Sequence, residues 1–307
     1  MKVVFMGTPD FAVPSLQKLI ENNYEIQAVF TQPDKPKGRG HKLCFSPVKE
    51  LALEYNLPVY QPTTLRTQDI AEQIKSLKPD FIIVAAYGKI LPKSILEIPE
   101  YGCINVHGSL LPKYRGAAPI QHAVLNGDKV TGITTMYMGE GLDTGDILLK
   151  EEVQIGEDET SEELFDRMKV VGADLLIKTL QGLVSGEVSP VPQDDALSTY
   201  ASVITKDLSP IDWSLENYVI HNKVRGLNSW PCAESLYKGK KIKIHRTVIA
   251  DADGSAGKLY CKDKKLYVYC GKGSLEILEL QLENGKRMSG SAFLLGHPLT
   301  DDVILGE

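Results

Sequence analysis

Two periodicities alternate through residue 183. Short apolar runs, "KVVFMG" (2–7), "EIQAVFT" (25–31), "FIIVAAYG" (81–88), "CINVHG" (103–108) and "GITTMYM" (132–138), are rich in β-branched residues and predict strands. The uninterrupted run at 81–88 is the pattern of a strand covered on both faces. Between them, apolar residues recur at helical spacing: Val13, Leu16, Leu19 and Ile20; Val48, Leu51, Ala52 and Tyr55; Ile70, Ile74 and Leu77. Helices are also predicted over 118–128 and, the longest, 161–183. Strand and helix in alternation mean an α/β, doubly wound, mostly parallel, Rossmann-like sheet.

The texture changes near residue 187. "EVSPVPQDDALSTYASVITKDLSP" is rich in Pro, Ser, Asp and Thr and weakly periodic, and reads as a linker. After one predicted helix (216–228), five short strands follow at close spacing over 233–239, 240–250, 257–263, 265–271 and 274–282, which predicts a small OB-like β-barrel. The expected division is a catalytic domain at 1–188, a linker at 189–206 and a barrel domain at 207–307.

At 307 residues the chain is long enough for two cores, with 43% hydrophobic and 24% charged residues as in ordinary soluble proteins. No apolar run has the length of a membrane span, and the opening residues lack a secretory h-region, so a cytoplasmic location is expected. Cys44, Cys103, Cys232, Cys261 and Cys270 show no C-x-x-C spacing and are odd in number. With six scattered histidines, they argue for reduced thiols and no metal. The first strand-to-helix turn, "GTPDF", has one glycine where a dinucleotide fingerprint needs three, so it is expected to be a packing turn.

One strand ends unusually. In "INVHGSLLP" (104–112), Asn105 and His107 stand two apart and so share a face. At the carboxyl edge of a doubly wound sheet that face meets the ligand. Downstream, "GLDTGDI" (141–147) offers Asp143 between glycines. An amide can hold an oxyanion, an imidazole can move a proton, and a carboxylate can orient the imidazole. No Ser or Cys sits in a nucleophile motif such as G-x-S-x-G, which points to direct transfer onto an acceptor.

With "GTPDFAVP", "TQPDKPKGRGHKL", "SPVKELA", "AAYGKILP", "INVHGSLLPKYRGAAPIQ", "GLDTGDIL", "IDW", "VRGLNSWP" and "NGKRMS" in order along its whole length, the chain resembles the methionyl-tRNA formyltransferase family. The resemblance implies transfer of the formyl group of 10-formyltetrahydrofolate to the α-amino group of methionine on initiator tRNA. It implies Asn105, His107 and Asp143 as the catalytic set. It also implies a folate site formed by Ser109, Leu110, Leu111 and Pro112, with Tyr87, Gly88, Ile90 and Leu91 lining the pterin pocket. Initiator methionyl-tRNA and 10-formyltetrahydrofolate are the expected partners of a monomer, with no metal and no membrane. The alternative is a folate-dependent formyltransferase acting on a small amine, such as glycinamide ribonucleotide or an amino sugar.

A polyanionic partner sits oddly with a net charge of −6, and local charge resolves it. Residues 238–265 carry nine Lys or Arg against three Asp, and residues 34–42 four against one. Phosphate contacts are expected from Lys240, Lys241 and Lys243 on the barrel and, more weakly, Lys206. In the loop, Arg39 between Gly38 and Gly40 is expected to read the acceptor stem, with Lys35, Lys37, His41 and Lys42 as phosphate contacts.

Overall fold

The computed structural model of the chain describes residues 1–37, 42–299 and 303–306. It divides into two compact units, each discontinuous in sequence: Met1–Gly116, Thr131–Val153 and Phe165–Tyr200, and Ala117–Val130, Gln154–Leu164 and Ala201–Glu307.

The first unit is built on a seven-stranded sheet in the order Ile147–Gln154, Val130–Tyr137, Cys103–His107, Phe81–Ala85, Lys2–Gly7, Glu25–Phe30, Val59–Tyr60. Lys2–Gly7 pairs in parallel with both Glu25–Phe30 and Phe81–Ala85, and Phe81–Ala85 in parallel with Cys103–His107. The strand order therefore reverses beside Lys2–Gly7, and the carboxyl ends of the parallel strands gather there. Val130–Tyr137 runs antiparallel to Cys103–His107, pairing Asn105 with Met136 and His107 with Thr134. The alternation of patterns anticipates the α/β class and the mostly parallel sheet. It misses the two edge strands, Val59–Tyr60 and Ile147–Gln154.

Helix Gln68–Ser76 packs one sheet face, contributing Ile74 to a core with Val4, Phe30, Ile82 and Val84. The helix Ser161–Ser185 approaches the opposite face closely at Gly172, where a Cβ would lie 3.0 Å from Val106. Gly7 is also a packing glycine, since a Cβ there would be 2.7 Å from that of Ala12 and 3.0 Å from the Ala85 carbonyl oxygen. This is the role expected of the "GTPDF" turn.

In the second unit an antiparallel sheet runs Ala233–Tyr237, Lys240–Ala250, Ser274–Leu282, Lys265–Tyr269, Leu259–Lys262, with Arg287–Ser289 beside Ser274–Leu282. Its two edges are bridged by the last described residues. Leu259 donates to the Val303 carbonyl (2.9 Å), Leu305 to that of Gly257 (2.7 Å) and Gly306 to that of Leu236 (2.9 Å), closing the sheet edge to edge. Ile242 and Ile244 point inward with Leu266, Val268 and Leu275, so the intervening Lys241 and Lys243 face out. Among the described residues no helix is long and apolar enough to cross a membrane.

The stretch read as a linker is pinned to the first unit at several points. Ile147 and Val191 exchange backbone hydrogen bonds (2.8 and 2.9 Å), Asp195–Leu197 forms a 3-10 turn, and Arg115 donates to the Thr199 carbonyl (2.9 Å).

Candidate active site

The strand Cys103–His107 is buried throughout, and its two faces differ in chemistry. Val106 turns toward the long helix at Gly172. On the other face Cys103 lies in the dry core, its thiol pushed up to about 12 by burial. Two and four residues further along that same face come Asn105 and His107. The face thus passes from core to polar site within one strand. Asn105 is 9% exposed, and its carboxamide has no hydrogen-bond partner among the described residues. A buried amide left open in this way is available to a ligand.

His107 is held from both sides. Its Nε2 donates to the Tyr114 carbonyl at 2.9 Å, and its Nδ1 faces Asp143 Oδ2 at 3.7 Å. The Tyr114 carbonyl can only accept, so Nε2 carries a proton and Nδ1 is the nitrogen turned toward Asp143. Asp143 Oδ2 also accepts from the Gly116 backbone N–H at 2.9 Å. Asp143 sits at φ 51°, a conformation Asp tolerates better than most residues. Gly145 beside it is required by space, since a Cβ would lie 1.9 Å from the Tyr137 carbonyl oxygen.

The turn after the strand is fixed by its neighbour. Thr134 Oγ1 donates to the Ser109 carbonyl (2.7 Å) and accepts from the Leu111 N–H (3.1 Å), while Ser109 Oγ donates to the Lys113 carbonyl (2.6 Å). Ser109 and Leu111 are fully buried; Leu110 and Pro112 are half-buried. The carboxyl ends of the adjacent strands are tied together. Gln32 Nε2 and Thr8 Oγ1 both donate to the Tyr87 carbonyl, at 3.0 and 3.3 Å.

Of the four residues expected at the pterin pocket, Tyr87 and Leu91 turn their side chains into the core with Val84 and Ile95. The buried Tyr87 hydroxyl finds no partner among the described residues, and burial pushes it up to about 12. Gly88 and Ile90 face outward, Ile90 at 66% exposure.

The basic candidates are placed unevenly. Arg39 and His41 lie outside the described residues. Lys37 and Lys42 pair across a hairpin, Lys35–Lys37 with Lys42–Cys44, whose Lys35 is exposed. The root of this hairpin is anchored: Lys49 Nζ meets Asp34 Oδ2 at 2.5 Å and Gln61 Nε2 donates to Asp34 Oδ1 at 2.8 Å, which holds the Asp34 carboxyl below its usual range. In the second unit Lys206 and Lys240 are exposed, Lys243 is half-buried, and Lys241 pairs with Glu234 at 3.1 Å.

The sequence alone did not single out Thr134, the Tyr114 carbonyl, Arg115 or Gln193, all of which build the site. Arg115 follows the "SLLPKY" turn and Gln193 stands in the Pro- and Asp-rich stretch, so neither carries a periodic signal.

Known proteins match the chain along its length. Residues 1–180 match the Formyl transferase family and residues 203–298 the Formyl transferase C-terminal domain. A methionyl-tRNA formyltransferase from Clostridium botulinum is 52% identical over 311 residues, covering 100% of both chains, and one from Alkaliphilus oremlandii is 50% identical with the same coverage. An N-formyltransferase from Helicobacter canadensis, solved with folinic acid and dTDP-3-aminofucose, shares the fold at 18% identity (TM-score 0.67), over 94% of this chain and 100% of that one. HypX from Aquifex aeolicus, solved with tetrahydrofolic acid, superposes at TM-score 0.65 and 16% identity over 96% of this chain, which spans about half of that longer protein (47%). The chain belongs to the formyl transferase family and, within it, to the methionyl-tRNA formyltransferases.

Proposed function

We propose that the chain moves the formyl group of 10-formyltetrahydrofolate onto the α-amino group of methionine carried by initiator tRNA, in the cytoplasm and as a monomer. The observation that carries the chemistry is the open carboxamide of Asn105 beside His107 at the end of a buried strand. The attacking amine adds to the formyl carbon and gives a tetrahedral intermediate. Asn105 donates to its oxyanion. The amine sheds one proton and the folate nitrogen takes one as the carbon–nitrogen bond breaks, and His107 relays between them. Asp143 orients the ring for this relay. The 3.7 Å separation of His107 Nδ1 and Asp143 Oδ2 leaves a short distance to close in the loaded site.

Residues 109–112 form the folate wall. Gly88 and Ile90 supply the outward-facing pterin contacts, with Tyr87 and Leu91 fixing the segment from beneath. The catalytic part is residues 1–188, joined through 189–206 to a tRNA-binding barrel at 207–307; Lys240, Lys241 and Lys243 on the barrel and Lys206 in the joining segment meet phosphate. Arg39 reads the acceptor stem, with Lys35, Lys37 and Lys42 on its backbone. The identity of full-length relatives favours this over a small-amine acceptor. The test is formylation of charged initiator tRNA, charged elongator tRNA and an amino-sugar nucleotide side by side. Preference for the initiator supports the reading, and comparable transfer to the sugar nucleotide contradicts it.

A further inference from the structure

The carboxylate assigned to the catalytic set sits on a loop, and a loop alone holds a side chain loosely. Its first and last residues are joined by the Tyr137 N–H donating to the Asp146 carbonyl at 2.9 Å. Inside that span Asp143 occupies a left-handed conformation. One side chain from far along the chain reaches the same span. Gln193 Nε2 donates to the carbonyl of Asp143 at 2.8 Å and to that of Gly145 at 2.7 Å. Its Oε1 accepts twice from Arg115, from Nε at 3.1 Å and from Nη2 at 2.8 Å. The guanidinium is a pure donor and the two carbonyls are pure acceptors, so only one orientation of the carboxamide satisfies all four bonds.

The brace is itself braced. Two residues before Gln193, Val191 exchanges backbone hydrogen bonds with Ile147, directly after the Asp143 loop. Arg115 also reaches Asp195 Oδ1 at 2.7 Å, and the next residue, Gly116, gives its N–H to Asp143 Oδ2 at 2.9 Å. Arg115–Gly116 and Gln193 thus hold Asp143 by its side chain and by its backbone respectively. We propose that Gln193, with Arg115 behind it, is a positioning residue for formyl transfer, which sets where the Asp143 carboxylate stands against His107. It touches neither substrate. This inference rests on the assignment of Asp143 to the catalytic set.

Gln193→Glu separates this role from a purely structural one. A glutamate keeps the two bonds from Arg115, and loses both bonds to the loop because a carboxylate only accepts. Single-turnover transfer to initiator methionyl-tRNA is measured for wild type, Gln193→Glu, Asp143→Ala and the double variant, with melting temperatures and the KM of each substrate. Gln193→Glu is expected to slow the chemical step by about 100-fold, the effect of a misplacement on the order of 1 Å, with both KM values little changed. In the Asp143→Ala background it is expected to add nothing. Gln193→Ala is measured beside it, so that a glutamate variant that does not fold leaves the question decidable. Wild-type rates in the Gln193 variants alongside a crippled Asp143→Ala overturn the inference alone, as does a loss that multiplies in the double variant. A wild-type rate for Asp143→Ala overturns the assignment of Asp143 and the inference with it.

Discussion

Asn105 and His107 share one strand face but are held differently, and the difference assigns their roles. His107 is fixed between Tyr114 and Asp143, whereas Asn105 is buried with its amide uncommitted. Asn105→Ala is therefore expected to lower turnover by roughly two to three orders of magnitude with folate affinity retained, the usual effect of removing one oxyanion donor. Turnover near wild type would take Asn105 out of the mechanism. At Arg39, proposed to read the acceptor stem, replacement by Lys keeps the charge and loses the planar fork. It should lower kcat/KM for initiator tRNA more than for elongator tRNA, and an equal drop for both would reduce Arg39 to a phosphate contact. Asn105 and His107 were visible as candidates because their types are wrong for a dry strand, and Arg39 because it stands between glycines. Gln193 was not, because a glutamine among Pro and Asp residues looks like solvent-facing chain, and its partners lie 48 to 78 positions away. Tyr87 shows the opposite failure: motif membership suggests a pocket wall, while its ring serves the core.

Whole elements were readable where their period was long and one-sided. Lys240–Ala250 alternates inward Ile242 and Ile244 with outward Lys241 and Lys243, and the barrel face follows from that. Val59–Tyr60 is two residues long and has no period to detect, and Ile147–Gln154 carries Lys150, Glu151 and Glu152 in succession, which masks its strand character. The closing segment at 303–306 buries Val303 and Leu305 in the barrel core but is too short to show a period. The outward lysines make a prediction at this scale. Because Glu234 already engages Lys241, replacing Lys240, Lys241 and Lys243 together should remove about two phosphate contacts. The slope of log affinity against log salt for tRNA should then flatten by roughly 1.5 to 2. An unchanged slope would move the tRNA to another face.

Across the molecule, the change of texture near residue 187 prompted a division into domains, but no local pattern marks 117–130 and 154–164 as part of the second compact unit. That unit buries two histidines. His221 sits between Thr247 and the Glu157 carbonyl, and His245 between Arg287 and Gln281. Burial lowers both pKa values, aided at His245 by the Arg287 charge. The unfolded chain then binds protons that the native state refuses, so stability is fully present above the ordinary histidine value of about 6.5 and falls as pH drops below it. The unfolding midpoint should decrease between about pH 7.5 and 5.5, whereas a flat or rising midpoint would show these rings charged in the native state. We propose that His107 and Asp143, brought together from a strand and a distant loop, act as one unit in formyl transfer. The most direct test is the double-mutant cycle of His107→Ala and Asp143→Ala on the single-turnover rate. The double variant should be about as slow as the worse single variant, and two losses that simply multiply would contradict the account.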